Sequence, residues 1–142
     1  MSKEQWIWQC DRAIPSDVVV GRRVLEEVLE QLGARQWRRR DVFSVHLAME
    51  EALVNAIVHG NRLDPEKQVR VSCRLSPEVV RIKITDQGEG FDVDAVPDPT
   101  DPDRLEAPSG RGVLLIRSFM SRVEYNLRGN SVVMEKERGK EA

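Results

Sequence analysis

Between Asp41 and Asn61 the chain reads DVFSVHLAMEEALVNAIVHGN, a stretch so apolar that it has few places to sit except inside a folded core. At about 100° per residue, Val42, Val45, Met49, Ala52, Leu53, Ala56 and Ile57 fall on one stripe of a helix. The opposite side carries Leu47, Ala48, Val54 and Val58, too apolar for a solvated face. Set among these, one turn apart, are Glu51 and Asn55. A carboxylate in such a place is costly unless something pairs with it. At this point a neighbouring loop that satisfies both groups and a functional site account for the pair equally well.

The flanking segments supply the rest of a small core. Trp6, Ile7, Trp8 and Cys10 predict a short strand ending at Pro15, and Ser16 is the expected cap of a first helix. That helix places Val18, Val24, Leu25, Val28, Leu29 and Leu32 on one side and stops at Gly33, with Arg22 and Arg23 off the stripe. The basic run ARQWRRR reads as a solvated junction, with Asp41 as the cap of the central helix and Gly60 near its end. Val69, Val71, Cys73 and Leu75 then alternate with Arg70, Ser72 and Arg74, a half-buried strand. After the turn Ser76-Pro77-Glu78, Val80, Ile82 and Ile84 share a face with Asp86, which aims that carboxylate at the buried side. Val123 to Leu127 and Ser131 to Glu135, joined by Arg128-Gly129-Asn130, read as a hairpin.

Two glycine-rich turns stand out. DQGEGFD follows the second strand, where Gly88 and Gly90 free the backbone beside Asp86. The segment 92–109 holds Pro97, Pro99, Pro102, Pro108 and repeated Asp, and is read as either a functional lid or a disordered loop. It closes on Ser109-Gly110-Arg111-Gly112, which feeds the short apolar helix Val113, Leu114, Leu115, Ile116, Phe119, Met120. A helix N-terminus entered through glycines offers N–H groups and a positive dipole end to an anion, of which phosphate is the obvious one. With 142 residues the chain is expected to be one domain, its core at about 6–136. A net charge of -2 argues against nucleic acid as partner. No run of about 18 apolar residues and no signal peptide is read, so a cytoplasmic protein without a membrane partner is expected. Cys10 and Cys73 are read as separate core residues, neither with a second thiol near it.

In this order, EEALVNAIVHGN, DQGEGFD and SGRGVLLI resemble the signature boxes of the Bergerat-fold ATPase superfamily, and the layout is most similar to the anti-sigma factor serine/threonine kinases within it. The resemblance covers the chain from about Trp6 to Met134. It implies an α/β (α+β) two-layer sandwich, a mixed, mostly antiparallel sheet with helices on one face, that binds ATP and Mg2+. Asn55 would hold the magnesium ion, Asp86 would accept a hydrogen bond from the adenine amino group, and Gly88 and Gly90 would let the backbone approach the base. Gly110, Arg111, Gly112 and Val113 would meet the phosphates, and Glu51 would act as general base. Glu50, about 100° from Glu51 around the helix, is read as a structural or surface residue. His46 and His59 are left out of the catalytic set, with His59 read as a helix-end histidine in preference to a pocket residue. The lid is acidic, with Arg104 and Arg111 as its basic residues near the phosphates, which implies a weaker clamp than in a strong kinase.

The implied partners are a sigma factor and an anti-sigma antagonist protein that the enzyme phosphorylates. They would share a surface that includes Arg22, and the protein would be a homodimer. The alternatives are a non-catalytic regulator whose nucleotide shapes a protein-binding surface, and an ATPase subunit of another signalling complex.

Overall fold

Alternating strand segments and stripe-bearing helices order themselves into two layers in the computed structural model, which describes residues 5–90 and 110–139. In chain order the elements are β1 (Trp8–Pro15), α1 (Val18–Ala34), α2 (Arg39–Val54), a π-helical turn (Asn55–Gly60), β2 (Gln68–Leu75) and β3 (Val79–Thr85). They continue as α3 (Gly110–Phe119), β4 (Arg122–Tyr125) and β5 (Ser131–Glu137). The expected lid, 92–109, lies outside the described residues, as does the side chain of Arg111.

The five strands form one sheet in the order β1-β2-β3-β5-β4. Every pairing among the described residues is antiparallel, where a mixed, mostly antiparallel sheet was expected. Short hairpins explain two of the four pairings: β2 turns directly into β3 and β4 into β5, and neither needs the long crossover of a parallel pair. The period-two alternation sets the faces. Val69, Val71, Cys73 and Leu75 from β2, Val80, Ile82 and Ile84 from β3, and Val132 and Met134 from β5 are buried against the helices. Arg70 and Lys83 point to the solvated side. On the helical side Val24, Leu25, Val28 and Leu32 of α1 meet Val45, Met49, Ala52 and Leu53 of α2 in one core cluster. Burying a side chain of this size contributes about 1.5–3 kcal/mol, and the cluster is what fixes α2 on the sheet. Ala48, on the side of α2 away from the stripe, is also fully buried, as is Ile116 of α3. No helix among the described residues is long and apolar enough to cross a membrane.

Several local expectations shift by a few residues. The cap of α1 is Asp17, whose Oδ1 accepts the Val19 N–H at 2.8 Å, because Ser16 is drawn into a buried contact elsewhere. α1 runs through Gly33, and the left-handed residue beyond it is Gln36 (φ 62°). Asp41 is not the cap of α2 but sits inside its first turn. There it is fully buried, accepting the Gly139 N–H at 2.8 Å, with Lys136 Nζ at 4.0 Å. A carboxylate at that position complements the helix dipole and ties the chain end to α2. Cys10 and Cys73, read as remote from each other, face each other across β1 and β2. Their thiols are hydrogen-bonded together, which holds the Cys10 thiol low and, with burial, pushes the Cys73 thiol up.

Candidate functional site

The central helix does not continue to Gly60 as an α-helix. From Asn55 it widens into the π turn, and the Asn61 N–H reaches back five residues to Ala56 O at 2.8 Å. Such widened turns occur often at functional sites. Glu51 thus stands in the last regular turn of α2 and Asn55 at the first residue of the wider one. Both are half-buried.

The two side chains converge on the start of α3. A β-carbon placed on Gly112 would lie 2.6 Å from Glu51 Oε2 and 3.0 Å from Asn55 Nδ2. Glycine at this position is therefore a condition of the approach. The first turn of α3, residues 110–113, brings the positive end of the helix dipole to the Glu51–Asn55 pair, with Val113 buried behind it. Burial raises the Glu51 pKa above the ordinary carboxylate range, with His59 opposing and Glu50 adding to the shift. Glu50 itself faces away, 3.9 Å from Arg22 Nε and 3.7 Å from His46 Nε2, which agrees with its reading as a structural or surface residue. Arg22 is exposed on α1, outside the cavity.

Asp86 ends the β3 side of the site. It is 9% exposed, and its Oδ1 accepts the Gly88 N–H at 2.8 Å. Burial raises its pKa, opposed by the Gly88 N–H, Arg128 and Lys67. The loop is pressed onto the end of the π turn. A β-carbon on Gly60 would lie 2.5 Å from the Asp86 carboxyl, and one on Gly88 would lie 2.1 Å from Gly60 O. Gly90 adopts φ +84°, a left-handed conformation, with its α-carbon packed against Arg128 O.

Between these walls lies a cavity of about 340 Å³ reached by Asn55, His59, Asp86, Gly90, Tyr125 and Asn130. That size falls in the range of small-molecule sites. The cavity wall carries a hydrogen-bond acceptor, Asp86, and an amide, Asn55, and next to Asn55 stand the Glu51 carboxylate and the N-terminus of α3. Asn55 Oδ1 is buried and has no hydrogen-bond partner among the described residues. A buried carbonyl oxygen left in that state fits a hard cation such as magnesium, which takes few protein oxygens.

His59 stands at the helix end, as read, and also lines the cavity from the last turn of the π-helical segment. Several further residues were missed. Lys67 and Arg62 reach the cavity from the loop before β2, and Tyr125 from β4. The Tyr125 phenol is pushed up to about 12 by burial, with Arg117 opposing and Glu51 adding. Asn130 holds Asp86 from the other side, giving its O to the Asp86 N–H at 2.9 Å and its Nδ2 to Asp86 O at 3.1 Å. Of these, only the placement of Asn130 in the β4–β5 turn carried a local signal, the Arg-Gly-Asn hairpin sequence.

Comparison with known proteins gives a consistent family. The profile of the histidine kinase-like ATPase domain matches residues 12–136. The chain is similar to the anti-sigma F factor of Oceanobacillus iheyensis, 33% identical over 106 residues that span 70% of this chain and 72% of that protein. It is also similar to the serine-protein kinase RsbW of the same organism, 26% identical over 140 residues that span 94% and 87% of the two. Among solved structures, the RsbU and RsbW domains of a Mycobacterium tuberculosis protein share the fold, with a TM-score of 0.62 at 15% identity. That match covers 92% of this chain and 32% of the other.

Proposed function

Because the chain belongs to the histidine kinase-like ATPase family, in the branch of the anti-sigma factor serine kinases, we propose that it is a cytoplasmic ATP-dependent regulator. It binds a sigma factor and phosphorylates a serine or threonine on an antagonist of that binding. The convergence of Glu51 and Asn55 on Gly112 supports this reading, since a carboxylate, an amide oxygen without a partner among the described residues and a helix N-terminus stand together beside the cavity.

The chemistry follows from the residues. Asp86 accepts a hydrogen bond from the adenine amino group, in a loop that Gly88 and Gly90 let pack closely against Gly60 O and Arg128 O. The backbone of Gly110, Arg111, Gly112 and Val113 bonds the phosphate oxygens from the first turn of α3. Asn55 Oδ1 would hold Mg2+, which when bound neutralises charge on the phosphates. Glu51 removes the proton from the substrate hydroxyl as that oxygen bonds to the γ-phosphorus. The bond from the γ-phosphorus to the β–γ bridging oxygen breaks, and ADP leaves. A raised pKa makes Glu51 a better proton acceptor near neutral pH than an ordinary carboxylate.

Arg22 stands on the exposed side of α1 as a contact for both protein partners, and the active species is a homodimer. Transfer of γ-labelled phosphate from ATP to a purified antagonist tests the reading. The wild type is expected to label the antagonist on serine or threonine, and Glu51→Gln is not. Tight ATP binding with no transfer by the wild type would instead favour the non-catalytic regulator.

A further inference from the structure

The motif match gives Asn61 no role, yet this residue joins several segments beside the cavity. Its side chain is 0% exposed. Oδ1 accepts the Gln87 N–H at 2.7 Å, while Nδ2 donates to Ser16 Oγ and to Gln68 O, each at 3.0 Å. Ser16 Oγ in turn donates to Lys67 O at 2.8 Å. The orientation of the amide is forced, because the Gln87 N–H can only donate and Gln68 O can only accept. The backbone N–H of Asn61 makes the five-residue bond to Ala56 O that defines the π turn. One buried amide therefore ties the π turn, the loop after β3, the start of β2 and the residue before the α1 cap.

The residue that depends on this anchor is Asp86. From the β5 side its peptide is held by Asn130 at 2.9 Å and 3.1 Å. From the opposite side, the next peptide along is held by Asn61 through the Gln87 N–H. Asp86 is thereby fixed in a loop clamped at both flanks, with Gly60 and Gly88 in van der Waals contact beneath it. A carboxylate held in place accepts from the 6-amino group of adenine and repels the 6-oxo group of hypoxanthine. A carboxylate free to swing aside tolerates both.

We infer that Asn61 is a specificity-determining positioning residue: by anchoring Gln87 it holds the Asp86 carboxylate where a 6-amino purine is accepted and a 6-oxo purine is refused. This rests on the nucleotide reading above. It adds a determinant of base choice that touches no nucleotide, and it runs through Ser16 to the start of α1.

The test is the ratio of dissociation constants for ITP and ATP, by calorimetry with magnesium, for wild type, Asn61→Ala, Asn61→Asp and Ser16→Ala. ITP differs from ATP at the 6-position that Asp86 faces. The wild type is expected to prefer ATP. Asn61→Ala, which leaves the Gln87 N–H without its acceptor, is expected to lower the ITP/ATP ratio by about fivefold to tenfold. Asn61→Asp keeps an oxygen for Gln87, and Ser16→Ala keeps the whole Gln87 contact, so both are expected to retain the wild-type ratio even where their melting temperatures fall. A structural role alone would move Ala and Asp together and weaken both nucleotides equally. An Asn61→Ala protein with the wild-type ratio therefore overturns the inference. Where Asn61→Ala does not fold, loss of the ratio in Asn61→Asp, despite its retained oxygen, overturns it as well. A wild type that binds neither nucleotide is a different result, since it overturns the nucleotide reading itself.

Discussion

Gly112 lies directly against Glu51, with room for a hydrogen but not for a methyl group: a β-carbon there would stand 2.6 Å from Glu51 Oε2. The obstructed atom is the far end of a flexible side chain, so Gly112→Ala is expected to fold by swinging the carboxylate away. Alanine in place of a helical glycine also adds about 1 kcal/mol, which offsets the cost of that displacement. The expected outcome is a melting temperature near that of the wild type and phosphate transfer down by about a hundredfold, the lower part of what a general base contributes. Calorimetry and labelled-phosphate transfer on the same preparation separate the two effects. Unchanged transfer would show that Glu51 does not need its present position.

Glu51→Gln is expected to keep nucleotide binding and to lose about a hundredfold to ten-thousandfold in transfer, while Glu50→Gln, on the Arg22 side of the helix, loses little. The raised pKa of Glu51 adds a stability signature. A carboxyl whose pKa is raised by folding binds its proton more tightly in the folded state. Its contribution is therefore fully present below the unfolded pKa and is lost as pH rises through the folded one. At neutral pH the variant, which carries no charge to bury, should be more stable than the wild type. The gain should shrink as pH falls toward the ordinary carboxylate range. Chemical denaturation at pH 7 and pH 4 measures it, and a variant less stable than wild type at both would contradict the burial argument.

Asp86→Ala is expected to weaken ATP by about tenfold to a hundredfold, the worth of a hydrogen bond to a charged group. Gly88→Ala acts differently, because its β-carbon would meet a backbone oxygen, Gly60 O, at 2.1 Å. It should cost about 1–3 kcal/mol of stability through overpacking, with nucleotide affinity falling as the loop shifts. The pair is read by calorimetry and denaturant melts. An Asp86→Ala protein that binds ATP as tightly as wild type would remove Asp86 from base recognition.

Much of this site could be read in the sequence because its parts are local. The stripe from Val42 to Ile57, the alternation through Val69–Leu75 and the inward aim of Asp86 each follow from spacing within one element, and each is found. What the sequence hid depends on contacts between distant segments. Ser16 looks like a cap, but a buried bond to Lys67 and Asn61 claims its hydroxyl, and Asp17 takes the cap. Cys10 and Cys73 look isolated until the β1–β2 register sets them opposite each other. The π turn has no local composition that marks it, yet it carries His59, which lines the cavity, and is followed at once by Asn61, which meets Gln87. The positive charges near Asp86, Lys67 and Arg128, arrive from two separate loops and so could not be assigned to the site by spacing.

Partner choice gives the last prediction. Arg22 is exposed on α1 and lies 3.9 Å from Glu50, at the outer limit of an ion pair between two solvated side chains. Pairs of this kind contribute about 0–1 kcal/mol, so replacing Arg22 should leave folding almost unchanged. Its position outside the cavity means that ATP affinity should also be unchanged. Charge reversal in a protein interface is far more disruptive, because like charges brought together there cost several kcal/mol. If the sigma factor and the antagonist share the surface around Arg22, Arg22→Glu should weaken both by at least about tenfold in a competition pull-down, in ATP and in ADP alike. Glu50→Ala serves as the control. It frees Arg22 without reversing charge, and both partners should remain bound. A mutant that loses one partner and fully retains the other, or a single subunit that holds both at once, would show that the two surfaces are separate. The nucleotide site would be untouched by that result.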